Sequence, residues 1–89
     1  MVVEYSKTFT KDLEAINNRE LALSVKNIIE HAKAVNSIAE LKSIKKMKGA
    51  KNAYRIRTGS YRIGFYVERN VILFARFLHR KDIYKYFPQ

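Results

Sequence analysis

The stretch Tyr54-Arg55-Ile56-Arg57-Thr58-Gly59-Ser60-Tyr61-Arg62-Ile63-Gly64-Phe65-Tyr66-Val67 decides the fold, because its apolar residues return at every second position on both sides of a glycine. Alternation of period two is the mark of a strand with one buried face, and a Gly-X pair between two such runs marks a two-residue hairpin turn. With Gly59-Ser60 as the turn, Arg57 lies opposite Arg62, Arg55 opposite Gly64 and Ile56 opposite Ile63. The arginines then share one face. Like charges directly opposite one another destabilise a sheet by a few tenths of a kcal/mol or more, and an anion held between them removes the conflict. Gly64 leaves a gap beside Arg55 that admits either a ligand or a packed neighbour.

Downstream, Arg69-Asn70 reads as a second tight turn, and the nearly unbroken apolar run from Val71 to Leu78 reads as a central strand covered on both faces. A two-residue turn there sets Phe77 opposite Arg62, brings His79 out on the arginine face and sends Arg76 to the other face as a solvated side chain. Ile83 and Phe87 then fall at helical spacing before Pro88, which predicts a short terminal helix. Upstream, Met1 to Tyr5 is β-prone. Ser6 or Thr8 is placed to cap a helix carrying Phe9, Leu13 and Ile16. Asn17 and Glu20 form a capping box for a second helix, whose apolar stripe Leu21, Val25, Ile28, Ala32 and Val35 recurs at intervals of four and three. Ser37 and Glu40 offer another box for a short turn. Lys42 to Lys51 reads as a basic, mobile connection in which Lys45, Lys46, Lys48 and Lys51 are available to grip a phosphate backbone. The expected fold is α+β: an N-terminal strand and an α-helical hairpin packed on a small, mainly antiparallel sheet, with a short C-terminal helix, in one domain spanning residues 1–89.

Charge narrows the function. Residues 1–41 hold five Lys/Arg against six acids, a balance of −1, whereas residues 42–89 hold thirteen against two, a balance of +11. A field confined to one half costs stability through self-repulsion and suits a surface that meets phosphates, RNA before other polyanions. A chain of 89 residues with 47% hydrophobic composition folds without staples, though a domain this small buries only about 60% of its unfolded surface and gains from a partner. The absence of cysteine excludes disulfides and thiolate metal sites. No apolar run approaches the ~20 residues of a membrane helix, and the N-terminus turns polar too early for a signal peptide, so the expected compartment is the cytoplasm.

The candidate site therefore comprises Arg55, Arg57 and Arg62 on adjacent strands, joined by His79, Arg80 and Tyr84 from the end of the last strand. His31 and His79 are the only histidines, they lie on different elements, and no clustered acids complete a metal site. His31 reads as an ordinary surface residue. Neither a Ser-His-Asp grouping nor a glycine-rich phosphate loop is present. Fork-shaped guanidinium donors hold a phosphate and neutralise charge developing on it. Tyr66 or Tyr84 is available to stack on a base, while Tyr61 belongs to the apolar face.

In order and spacing, the strand-helix-helix start, Met47-Lys48-Gly49, Tyr54-Arg55-Ile56-Arg57, Tyr61-Arg62-Ile63-Gly64-Phe65-Tyr66 and Leu78-His79-Arg80-Lys81-Asp82-Ile83-Tyr84 resemble the RelE/ParE superfamily of bacterial toxins along the whole chain. The resemblance implies a type II toxin inhibited by a cognate antitoxin. In the RelE branch it further implies ribosome-dependent cleavage of messenger RNA without cofactor or metal, by attack of the ribose 2′-oxygen on the adjacent phosphate. It puts the paired basic strand residues of that branch at Arg55 and Arg57, the phosphate-clamping arginine at Arg62, the late-strand arginine at Arg80 and the C-terminal tyrosine at Tyr84. Two departures stand out. Relatives often carry lysines where this chain has Arg55 and Arg57, and arginine does not deprotonate in proteins, so base duty passes to His79 or Tyr84. Tyr84 also follows Arg80 by only four residues, closer than in some relatives. The competing readings are a ParE-like inhibitor of DNA gyrase and a non-catalytic RNA-binding module.

Overall fold

Local backbone chemistry sets both hairpins. The computed structural model describes residues 1–88. Gly59 adopts φ +60°, a left-handed conformation that costs glycine nothing, and this turn joins β3 (Ala53–Thr58) to β4 (Tyr61–Glu68). The register is the expected one, with Arg57 opposite Arg62, Ile56 opposite Ile63 and Arg55 opposite Gly64. Arg69, at φ +57°, turns β4 into β5 (Val71–His79). Near this second turn the pairing also follows the two-residue expectation, from Glu68 opposite Val71 to Phe65 opposite Phe74.

Beyond that point the register changes. A β-bulge between Gly64 and Phe65 leaves Ala75 without a counterpart, so Gly64 faces Arg76, Arg62 faces Leu78 and Tyr61 faces His79. One extra residue reverses the alternation of every side chain after it. This corrects three expectations: Phe77 faces Ile63 rather than Arg62, His79 lies on the face opposite Arg62, and Arg76 lies on the same face as Arg62.

The strand order is β1-β5-β4-β3-β2. β1 (Val2–Tyr5) runs parallel to β5, and β2 (Ile44–Lys46) pairs antiparallel with β3 at the opposite edge. The segment read as a mobile connection thus contains an edge strand. Three residues are too few to show a period, and lysines on a sheet edge discourage pairing with another chain, so the composition hid the element.

Ser6 Oγ accepts from Phe9 N–H at 3.0 Å and starts α1 (Lys7–Glu14). Asn18 rather than Asn17 caps α2 (Arg19–Ala34), its Oδ1 accepting from Leu21 N–H at 3.0 Å. The Ser37–Glu40 capping box forms as expected around a 3-10 turn at Ile38–Glu40. α3 (Ile83–Tyr86) closes the described chain. No helix is long and apolar enough to cross a membrane among the described residues.

The helical hairpin covers one face of the sheet, where Phe9, Val25 and Ala32 meet Ile56, Ile63, Phe65, Phe74 and Phe77. Thr58, buried on this side, hydrogen-bonds Ser24 of α2. A smaller cluster of Met47, Ala53, Ala75, Ile83 and Phe87 covers part of the other face beneath α3. β5 therefore lies between β1 and β4 with both faces occupied, which is why its sequence is almost uniformly apolar.

Candidate nucleic-acid interface

Helical spacing of four places Ile83 and Phe87 on one side of α3, where they are 0% and 2% exposed. Phe87 seats on Gly64: a Cβ built there would lie 2.6 Å from Phe87 Cδ2. The gap opposite Arg55 is thus filled by packing. Anchored at both ends, α3 turns Tyr84 outward at 60% exposure, over the part of the sheet that carries the arginines.

The constellation assembles from five elements. Arg55 and Arg57 come from β3, Arg62 from β4, Lys45 from β2 opposite Arg55, Arg80 from just after β5, and Tyr84 from α3. The Arg80 N–H donates to Ser60 O at 2.8 Å, which holds it beside the β3–β4 turn. Arg62 Nη1 donates to Gly59 O at 3.0 Å and to Tyr61 O at 2.9 Å. Two carbonyls thus fix one arm of its guanidinium. Arg55 Nε is buried with no hydrogen-bond partner.

Electrostatics confirm the proximity. The Arg62 pKa lies below its usual value, first through desolvation and then through the fields of Arg55, Arg57 and Arg80, with Tyr84 acting the other way. The Tyr84 pKa is lowered chiefly by a hydrogen bond from Arg55; desolvation opposes this, and the charges of Arg55, Lys45 and Arg62 lower it further. A phenol held among cations gives up its proton more readily than a free tyrosine and then presents a negatively charged oxygen beside a phosphate-binding surface.

Not every basic residue singled out in the sequence joins this cluster. His79 faces the helical side, where its ring meets Tyr61 edge-on with centroids 5.5 Å apart, and its Nδ1 accepts from Lys81 N–H at 3.1 Å. Lys46 pairs with Tyr54 and follows the other alternation. Lys48 borders a cleft that Lys45 and Tyr84 also line, while Lys51 lies in the turn leading into β3.

Arg76 was read from sequence as a solvated side chain; instead its Nε donates to Asp12 Oδ2 at 2.9 Å, and its guanidinium lies 5.6 Å from the Tyr86 ring centroid. Asp12 Oδ2 also accepts from Phe77 N–H at 2.9 Å. Asp12 thus ties α1 to β5, and the Arg76 guanidinium it holds reaches Tyr86 on α3, the helix that carries Tyr84. No local pattern signals a contact between residues 64 positions apart; it depends on the bulge that reversed the alternation of β5. No group of three or more His, Asp or Glu side chains suited to a metal ion occurs among the described residues.

Comparison with known proteins matches this architecture. A family profile described as the ParE toxin of the type II toxin-antitoxin system parDE matches residues 3–84. Toxin RelE3 of Methanocaldococcus jannaschii is 49% identical over 89 residues, covering 99% of this chain and 100% of the relative. The crystal structure of the RelB-RelE antitoxin-toxin complex from Methanococcus jannaschii superposes with a TM-score of 0.81 at 48% identity, covering 96% of this chain and 99% of the matched one. YafQ from E. coli shares the fold alone, with a TM-score of 0.70 at 13% identity and coverage of 92% and 96%. With a family match across nearly all of the sheet and helices, the chain belongs to the ParE toxin family of the RelE/ParE superfamily and is a toxin of a type II toxin-antitoxin system.

Proposed function

We propose that this toxin is a ribosome-dependent mRNA endoribonuclease that blocks translation in the cytoplasm. One observation carries the reading: Arg55, Arg57, Arg62 and Arg80 converge around an outward-facing Tyr84, whose pKa is lowered by Arg55 first and also by Lys45 and Arg62. In the proposed reaction Tyr84 Oη takes the proton of a ribose 2′-hydroxyl, and the 2′-oxygen attacks the adjacent phosphorus. The arginines neutralise the charge that grows on the non-bridging oxygens. Cleavage leaves a 2′,3′-cyclic phosphate and a 5′-hydroxyl. His79 faces the other side of the sheet, which favours Tyr84 as the base. Lys45, Lys48 and Lys51 add charge for the RNA backbone, with Lys46 at the edge, and specificity for mRNA comes with the ribosome as partner.

The cognate antitoxin is the second proposed partner. An acidic or amphipathic segment laid across the sheet and the basic face satisfies the +11 balance of residues 42–89, so its affinity should fall as ionic strength rises. A second functional reading, inhibition of DNA gyrase without cleavage, draws support from the ParE profile match.

The experiment that separates the readings incubates purified protein with programmed ribosomes and, separately, with gyrase. The expected result is cut mRNA, with no metal needed beyond that which holds the ribosome together, and unaffected supercoiling. Arg62→Ala should slow cleavage on the order of 100-fold, the worth of about 3 kcal/mol of transition-state charge stabilisation. Gyrase inhibition with intact mRNA would replace the endoribonuclease by the second reading, and binding with neither activity would leave an RNA-binding module.

A further inference from the structure

Cleavage by 2′-oxygen attack needs a proton at each end of the reaction. The attacking hydroxyl loses one and the departing 5′-oxygen gains one. In an in-line displacement these two oxygens lie on opposite sides of phosphorus, so a single phenol cannot serve both ends. Tyr84 accounts for the first proton. Arg55, Arg57, Arg62 and Arg80 cannot supply the second, because a guanidinium does not give up its proton in proteins. His79 is on the wrong face. Lys45, Lys46 and Lys48 all line a cleft with Tyr84, but Lys46 pairs with Tyr54 on the other alternation and Lys48 lies beyond the end of β2, outside the register with β3.

Lys45 remains. It is held directly opposite Arg55 by the β2–β3 register, on the arginine face, and it lines with Tyr84 and Lys48 a cleft of about 420 Å³ between β2, the turn after it and α3. Its flexible four-carbon stem carries three donors on a compact ammonium, which can follow a moving oxygen in a way that a rigid fork cannot.

We propose that Lys45 on the edge strand β2 is the proton donor to the leaving 5′-oxygen, the role that none of the four arginines can fill. The inference rests on the endoribonuclease reading. In the step, the 2′-hydroxyl proton passes to the Tyr84 phenolate, the O2′–P bond forms and the P–O5′ bond breaks. The electron pair left on O5′ takes a proton from Lys45 Nζ. Tyr84 afterwards returns its proton to solvent and Lys45 regains one.

The test compares wild type with Lys45→Arg on ribosome-bound mRNA whose scissile linkage, mapped first with wild type, carries either the ordinary 5′-oxygen or a bridging 5′-sulfur. Sulfur departs as a thiolate and needs no donor. Lys45→Arg keeps the charge on an exposed edge, and unchanged melting and ribosome binding verify its fold. The expected result is about a 100-fold loss on the ordinary linkage, the usual worth of a positioned acid, and less than about a 10-fold loss on the sulfur linkage. Wild-type rates for Lys45→Arg on the ordinary linkage, or equal losses on both linkages, would overturn the proposal and leave the endoribonuclease reading standing. No cleavage of either linkage by wild type would overturn both.

Discussion

Gly64→Ala is the smallest change that should disconnect α3 from the sheet. The new Cβ would lie 2.6 Å from Phe87 Cδ2 and 2.8 Å from both Cε2 and Cγ. Carbon atoms approach comfortably to about 3.5–4.0 Å, so the ring must retreat by roughly 1 Å. Phe87 is 2% exposed among Met47, Ala53, Ala75 and Ile83, and nothing there yields freely. Overpacking of this kind costs about 1–3 kcal/mol, which for a domain of this size lowers Tm by roughly 4–8 °C for each kcal/mol. Because Phe87 is the C-cap of the four-residue helix that carries Tyr84, the displacement carries to the phenol. A misplacement of about 1 Å in a reacting group can cost on the order of 100-fold in rate. Calorimetry and a single-turnover cleavage assay on programmed ribosomes read the two effects separately. Adding Phe87→Leu to Gly64→Ala should recover part of the lost stability, since the shorter side chain vacates the contested space. A Gly64→Ala protein that melts and cleaves like wild type would refute the reasoning: Phe87 would not be seated on Gly64, and the placement of Tyr84 would not depend on it.

Three further outcomes are expected. Tyr84→Phe should slow cleavage by 100-fold or more while His79→Gln stays near wild type, because His79 faces the helical side; the reverse order in the same assay would contradict the observed β5 register. Arg55→Gln should move the low-pH limb of the rate profile to higher pH, because losing the hydrogen bond and charge that favour the Tyr84 phenolate raises the pH at which the base forms; a rate-against-pH series in which the limb does not move would count against Tyr84 as that base. Asp12→Ala should cost about 3 kcal/mol in chemical denaturation, since it leaves Arg76 and the Phe77 N–H without their acceptor at a site where the ion-paired side chains are 19% and 12% exposed. A loss below about 0.5 kcal/mol would mean that water replaces the carboxylate at no cost.

Much of the molecule was determined by residues close together in the chain. Period-two alternation around Gly59 set the β3–β4 register and put Arg55, Arg57 and Arg62 on one face, because a two-residue turn leaves no freedom in the pairing that follows it. Period four-and-three alternation set the two helices, and the apolar run of β5 announced a strand covered on both sides. Tyr84 was expected near those arginines because it follows closely on the end of the last strand, and the spacing of Ile83 and Phe87 foretold the short helix that carries it.

Tertiary structure decided what local pattern cannot encode. The bulge at Ala75 reversed the alternation of the end of β5, moving His79 away from the arginines and bringing Arg76 to Asp12. A bulge has no reliable signature in the residues that form it. It arises here where Phe87, twelve residues beyond Ala75, packs over Gly64 of the neighbouring strand. The lysine-rich β2 became a strand only because β3 offered it a free edge, and it is that edge which sets Lys45 opposite Arg55. Periodicity fixes which side of an element is apolar, whereas the register between elements depends on packing from both faces of the sheet at once, and only the folded chain supplies both.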